Sequence, residues 1–148
     1  MPESLEQNYA RGGFERRLTP GSRPALLVVD FVRAYLVEES PLYGGDGCAS
    51  ARLAAIELLA GARAAGIPVL HTNVEYQPGG RDGGVFFRKV PALKVFCAGN
   101  PLGDVIPELA PTDGEPVVTK QYASAFFATS LASTLHAQGV DCVLLAGI

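Results

Sequence analysis

Cysteine is scarce in this chain: the 148 residues hold three, Cys48, Cys97 and Cys142, an odd number with no C-x-x-C pair. That usage argues against a disulfide framework or a thiolate metal site, and predicts a reduced protein. Basic clusters are missing as well. Lys and Arg are scattered through a sequence of net charge −3, which gives no electrostatic footprint for nucleic acid or an anionic membrane. The opening Met1-Pro2-Glu3-Ser4 lacks the basic and apolar regions of a signal peptide. Asp30, Arg52 or a Gly/Pro cluster interrupts every apolar run well short of a membrane span. The expectation is a cytoplasmic protein that takes small molecules or protein partners, with no nucleic acid and no membrane.

What is present is apolar: 48% hydrophobic against 18% charged residues, enough for one domain with a sizeable core. Residues 1–23 are polar, rich in Arg and Gly, and hold Tyr9 and Phe14 in isolation; they read as an N-terminal arm of the kind that packs on a neighbouring subunit. The domain then runs over 24–148. "PALLVVD" (24–30) reads as a buried parallel strand ending in a carboxylate. "SARLAAIELLAGARAAG" follows as a helix, with Leu53, Ile56, Leu59, Ala60 and Arg63 at helical spacing and Gly66 as its cap. "IPVLHTN" (67–73) and "EPVVTK" (115–120) give two more strands, "ATSLASTLHAQG" a short helix, and "VDCVLLAGI" (140–148) a fourth strand. This alternation predicts a right-handed parallel α/β sheet. The stretch from Glu75 to Gly114 is too irregular for a plain crossover and is expected to shape a site.

Asp30 and Lys120 end the first and third strands, where open parallel sheets place their ligands. Taken singly, Asp30 could be an N-cap for "FVRAYL", and Lys120 a snorkelling end-of-strand lysine. Together they bring an acid and a base over one edge of the sheet, and a nucleophile beyond the fourth strand would complete a catalytic set.

"PALLVVDFVRAY", "VVTKQYASAFFATSL" and "GVDCVLLAGI", in this order, resemble three motif blocks of the isochorismatase-like cysteine hydrolases. "YARGGFERRL" and "EYQPGGRDGGVFFRKVPAL" resemble the branch containing N-carbamoylsarcosine and maleamate amidohydrolases. The resemblance implies a three-layer α/β/α, Rossmann-like hydrolase fold with its C-terminal part missing, and an amidohydrolase that converts a small amide acid to acid and ammonia through a thioester. It carries the catalytic Asp and Lys onto Asp30 and Lys120. The family's cysteine, on a turn after "AGI", would fall a few residues past Ile148, so the chain is expected to stop short of its nucleophile and to leave Val143, Leu144 and Leu145 without a covering helix.

None of the three cysteines sits at the carboxyl end of a strand, and Cys97 alone is expected near a pocket. The metal cluster of nicotinamidase-like members cannot be assembled from His71 and His136, so no metal and no cofactor is predicted. His71 reads as a hydrogen-bonded structural histidine at the end of the second strand. Candidates for substrate binding are Phe31, Asn73, Tyr76 and Arg81, the last either as a bidentate carboxylate ligand or as a solvated loop arginine. Phe126 and Phe127 are open between pocket and core. The glycines of "PGGRDGGV" do not lead from a strand into a Gly-Lys-Ser/Thr turn and give no phosphate loop.

Three functions compete. The first is a cysteine amidohydrolase of a maleamate or N-carbamoylsarcosine type, assembled as a homo-oligomer (dimer or tetramer). The second is an inactive fragment or binding module of the same fold, and the third an isochorismatase-type vinyl ether hydrolase.

Overall fold

The computed structural model describes residues 4–148. Its centre is a four-stranded parallel sheet of order β3-β2-β1-β4, formed by β1 (Pro24–Val29), β2 (Val69–Val74), β3 (Val117–Lys120) and β4 (Cys142–Gly147). Four α-helices accompany it: α1 (Leu5–Gly12), α2 (Gly45–Ala64), α3 (Gly84–Lys89) and α4 (Leu131–Ala137). β1 reads PALLVV without a polar break because neighbours cover both of its faces. On one face Leu26 and Val28 pack with Ala55, Leu59 and Ala62 of α2; on the other Ala25 and Leu27 pack with Leu131 and Leu135 of α4. The parallel sheet is the one expected from the alternating strands and helices, and the layers are those implied by the resemblance.

The apolar stripe of α2 agrees with the expected one at Leu59 and at the half-buried Ile56 and departs from it at Leu53 and Ala60. Ala55, Leu59 and Ala62 are buried, whereas Leu53 and Ala60 face solvent. The spacing was compatible with both faces, and the alanine-rich one won because small side chains let the helix lie close to the sheet. Gly66 follows α2 with φ +65, the left-handed position at which glycine carries no Cβ penalty.

The arm holds a helix that its composition did not announce. Ser4 and Gln7 form a capping box at the start of α1 and Gly13 closes it, yet none of its residues is buried. Residues 1–3 of the arm lie outside the described residues. At the other edge of the sheet, Leu144 and Leu145 of β4 are exposed, while Val143 packs partly on the α4 side.

The irregular stretch after β2 folds as α3 followed by 3-10 turns at Pro91–Phe96, Pro101–Gly103 and Pro107–Leu109, each opened by a proline whose missing N–H costs nothing there. Its Phe87, Leu93, Val95 and Phe96 join Tyr76, Val32 and Ala34 in a third apolar cluster, built on the segments that leave β1 and β2. That cluster stands at the carboxyl end of the sheet.

Candidate active site

Asp30 directly follows β1 and Lys120 closes β3, so both stand at the carboxyl end of the sheet with β2 between them. The Lys120 Nζ lies 2.6 Å from Asp30 Oδ2, and Thr72 of β2 donates its hydroxyl to Asp30 Oδ1 at 2.6 Å. Lys120 also donates to the Ala123 carbonyl at 3.3 Å. Asp30 and Lys120 are 8% and 2% exposed, and such a buried pair persists only when its remaining polar atoms are satisfied. Among the described residues no buried side-chain nitrogen or oxygen lacks a partner.

These contacts decide two open alternatives. Asp30 is no N-cap: the 3-10 turn at Arg33–Tyr35 begins after Val32 and has no side-chain cap. Lys120 does not snorkel to water. Asp30 also has φ +55, a left-handed conformation that aspartate tolerates better than most residues, though at a cost. The bend turns its carboxylate toward Thr72 and Lys120 while the chain departs toward Phe31.

The pair opens on a cavity of about 190 Å³ lined by Tyr35, Val74, Tyr76, Phe86, Leu93, Phe96 and Tyr122 besides Asp30 and Lys120. Burial, followed by the charge of Asp30, raises the Tyr35 phenol to about 12, and burial raises Tyr76 above its ordinary value. Both therefore stay neutral hydrogen-bonding groups near neutral pH.

Of the four binding candidates, Tyr76 alone lines this cavity. Phe31 turns into the core under α2, because the left-handed residue before it redirects the chain. Asn73 accepts from the Thr119 hydroxyl at 2.9 Å and borders a separate hollow with Cys97. Arg81 sits in another recess, on the Gly79–Gly80 turn. Phe126 and Phe127 are exposed and fill neither pocket nor core; Phe127 meets Tyr122 edge-on at 5.1 Å. Thr72, Tyr35, Phe86 and Phe96 escaped the sequence reading. For Thr72 the available signal was its position on β2, between the strands that carry Asp30 and Lys120.

A second charge cluster lies toward the other end of the sheet. His71, inside β2 rather than at its end, places Nε2 at 2.9 Å from Glu115, and Arg63 grips the same carboxylate through two contacts of 2.8 Å. Thr112 N donates to it at 3.0 Å, and Arg63 also reaches the Ala110 carbonyl. Hydrogen bonds from Arg63, then Thr112 and His71, pull Glu115 down to about 2 against the opposing effect of burial. Burial outweighs Glu115 at His71 and lowers its pKa, so the ring is neutral at pH 7.

All three cysteines are free. Cys48 lies in the first turn of α2 and Cys142 opens β4. Among the described residues no group of three or more His, Cys, Asp or Glu could hold a metal, and no helix is long and apolar enough to cross a membrane.

Residues 24–148 match the model of the isochorismatase domain. The chain is 50% identical to maleamate amidohydrolase of Pseudomonas putida over 98% of its own length and 68% of that protein's. It is 30% identical to N-carbamoylsarcosine amidase of an Arthrobacter species, over 94% of this chain and 54% of the relative. In structure it resembles a cysteine hydrolase from Pseudomonas syringae pv. phaseolicola 1448A, with a TM-score of 0.77 and 28% identity over 85% of this chain and 59% of that one. The chain thus spans between about half and two thirds of the length of these relatives.

Proposed function

Because the chain belongs to the isochorismatase domain family, we propose that it is part of a cysteine amidohydrolase that converts a small amide acid of the maleamate or N-carbamoylsarcosine type to the acid and ammonia. The observation that carries this reading is the buried Asp30–Lys120 pair, open on a small cavity at the carboxyl end of a parallel sheet. At about 190 Å³ the cavity is below the usual range for drug-sized ligands, which favours a substrate of few heavy atoms.

The nucleophile in this reading is a cysteine on the turn after β4. β4 pairs with β1 so that Gly147 lies beside Val29, which directs the carboxyl end of β4 to the side of the sheet where Asp30 stands. Asp30 takes the thiol proton, and the Lys120 ammonium stabilises the resulting thiolate. Attack on the amide carbonyl forms a C–S bond. Collapse breaks the C–N bond as Asp30 returns the proton to the nitrogen, which leaves as ammonia. Water then gives a proton to Asp30 as its oxygen attacks the thioester carbonyl; the acid departs, and the proton returns to the sulfur. Thr72 holds the carboxylate in place through both transfers, and Tyr76 contacts the substrate.

The same reading assigns the protein to the cytoplasm as a dimer or tetramer. The arm supports assembly, since Leu5, Tyr9, Phe14 and Leu18 are all exposed on it. Ammonia release from maleamate and from N-carbamoylsarcosine by the chain as its gene encodes it is the test. Release that disappears in Asp30→Asn and in Lys120→Ala upholds the proposal; a folded protein that releases none from either substrate overturns it.

A further inference from the structure

Outside the Asp30 cavity, the most conspicuous recess is a hollow of about 450 Å³ lined by Gly79, Gly80, Arg81, Gly84, Phe87, Arg88, Pro91 and Lys94. Three of its eight lining residues are cations and none is an acid, on a chain whose net charge is −3. No hydrogen bond or ion pair engages the side chains of Arg81, Arg88 or Lys94 among the described residues. The nearest acid in sequence, Asp82, turns its carboxylate to the Gln77 N–H at 2.9 Å instead. Arg88 stands in the last turn of α3, where a helix end favours a cation, but Arg81 and Lys94 lie on other segments and owe nothing to that helix.

The frame around these cations is built tightly. A Cβ on Gly80 would come within 2.0 Å of the Phe87 ring and one on Gly83 within 2.4 Å of its Cβ, so the glycine turn is seated directly on Phe87. Hydrogen bonds from Gly80 N to Gln77 O at 2.8 Å and from Gly83 N to Gly80 O at 3.1 Å fix the turn that carries Arg81. Arg81, Arg88 and Lys94 are all exposed, so their charged groups are open to an anion arriving from solution.

We propose that this recess is a second binding site, for a small oxyanion carrying two negative charges, held by the Arg81 and Arg88 guanidinium groups and the Lys94 ammonium. It lies behind the wall of the Asp30 cavity. Phe86, Leu93 and Phe96 of the same segment face that cavity, while Phe87, Arg88 and Lys94 face the recess. Phe87 also meets Tyr76 edge-on with ring centroids 4.7 Å apart, so an occupant that draws the turn and α3 together braces one wall of the first cavity. The proposal does not depend on the amidase reading.

Isothermal titration of the full chain with inorganic phosphate, and separately with malonate, at constant ionic strength tests it; the tighter of the two identifies phosphate or dicarboxylate chemistry. The double variant Arg88→Gln/Lys94→Gln is expected to bind roughly tenfold more weakly, since two charged donors are lost. Lys89→Gln removes an exposed cation that does not line the recess and is expected to bind like the parent. Absence of saturable binding to both anions, or equal weakening by Lys89→Gln and by the double variant, overturns the proposal.

Discussion

His71 and Thr72 are consecutive residues of β2, point to opposite faces of the sheet, and each meets a carboxylate paired with a cation, half-buried at Glu115 and buried at Asp30. Around Glu115 the polar partners are more numerous: Arg63, His71 and the Thr112 amide all bond to it, and Arg63 is itself tied to Ala110. Among the described residues only Thr72 and Lys120 bond to the Asp30 carboxylate, and the pair faces a cavity. The chemical inventory is nearly the same in both clusters, so residue type alone does not separate a structural network from a reactive one. What separates them is an unoccupied approach, and the position of that approach at the carboxyl end of the strands.

The sharpest way to break the contrast is to neutralise one carboxylate at a time. On the amidase reading, Asp30→Asn lowers kcat/KM by about 10⁴-fold while the protein still folds, as judged by circular dichroism. Glu115→Ala does the reverse. It leaves a half-buried Arg63 and a buried histidine without their partner and costs about 1–3 kcal/mol in urea unfolding. The surviving folded protein keeps kcat within a fewfold of the parent; a larger loss of kcat than of stability would erase the distinction.

A finer cut is at Thr72. Thr72→Val removes one hydrogen bond to a charged acceptor and is expected to lower kcat by roughly ten- to a hundredfold, with the acid limb of the pH–rate profile displaced and with Thr72→Ser restoring both. A merely structural threonine would lower Tm and leave the pH profile in place.

The smallest expected effect is in pH dependence. Glu115 and His71 both hold lowered pKa values in the folded state, so the unfolded chain binds more protons on acidification. Their contribution is present at neutral pH. It begins to fade as the pH falls below the ordinary histidine range, and the Glu115 part is lost from the ordinary carboxylate range down to about 2. At the other extreme, Tyr35 keeps its proton to about 12, so its contribution is lost as the pH rises from about 10 to 12. Urea midpoints across these windows check both signs.

The strands were legible because uninterrupted apolar runs such as PALLVV leave no alternative to burial on both faces. Asp30 and Lys120 were legible as a pair, although ninety residues separate them, because each ends such a run. The facing stripe of α2 was legible only in part, since Leu53 and Ala55 offer competing faces in an alanine-rich helix and only the neighbouring sheet chooses. Phe31, Asn73 and Arg81 lie close in sequence to residues of the cavity, but a positive φ at Asp30 redirects Phe31, the alternation of β2 puts Asn73 on the face opposite Thr72 and Val74, and the Gly-rich turn carries Arg81 to another recess. Thr72 carries no charge and breaks no pattern; its value appears only once β1 and β3 flank it.

The order β3-β2-β1 makes the sheet a ruler. Two interstrand steps put roughly 10 Å between the backbones that carry Asp30 and Lys120, a gap that two short side chains cannot close. The extended four-carbon stem of lysine supplies the missing length and brings an ammonium to one oxygen, while Thr72, standing at the half-way mark, needs only a hydroxyl to reach the other. The contact therefore depends on reach as well as on charge: a cation with a shorter stem would keep the sign of the field and lose the contact.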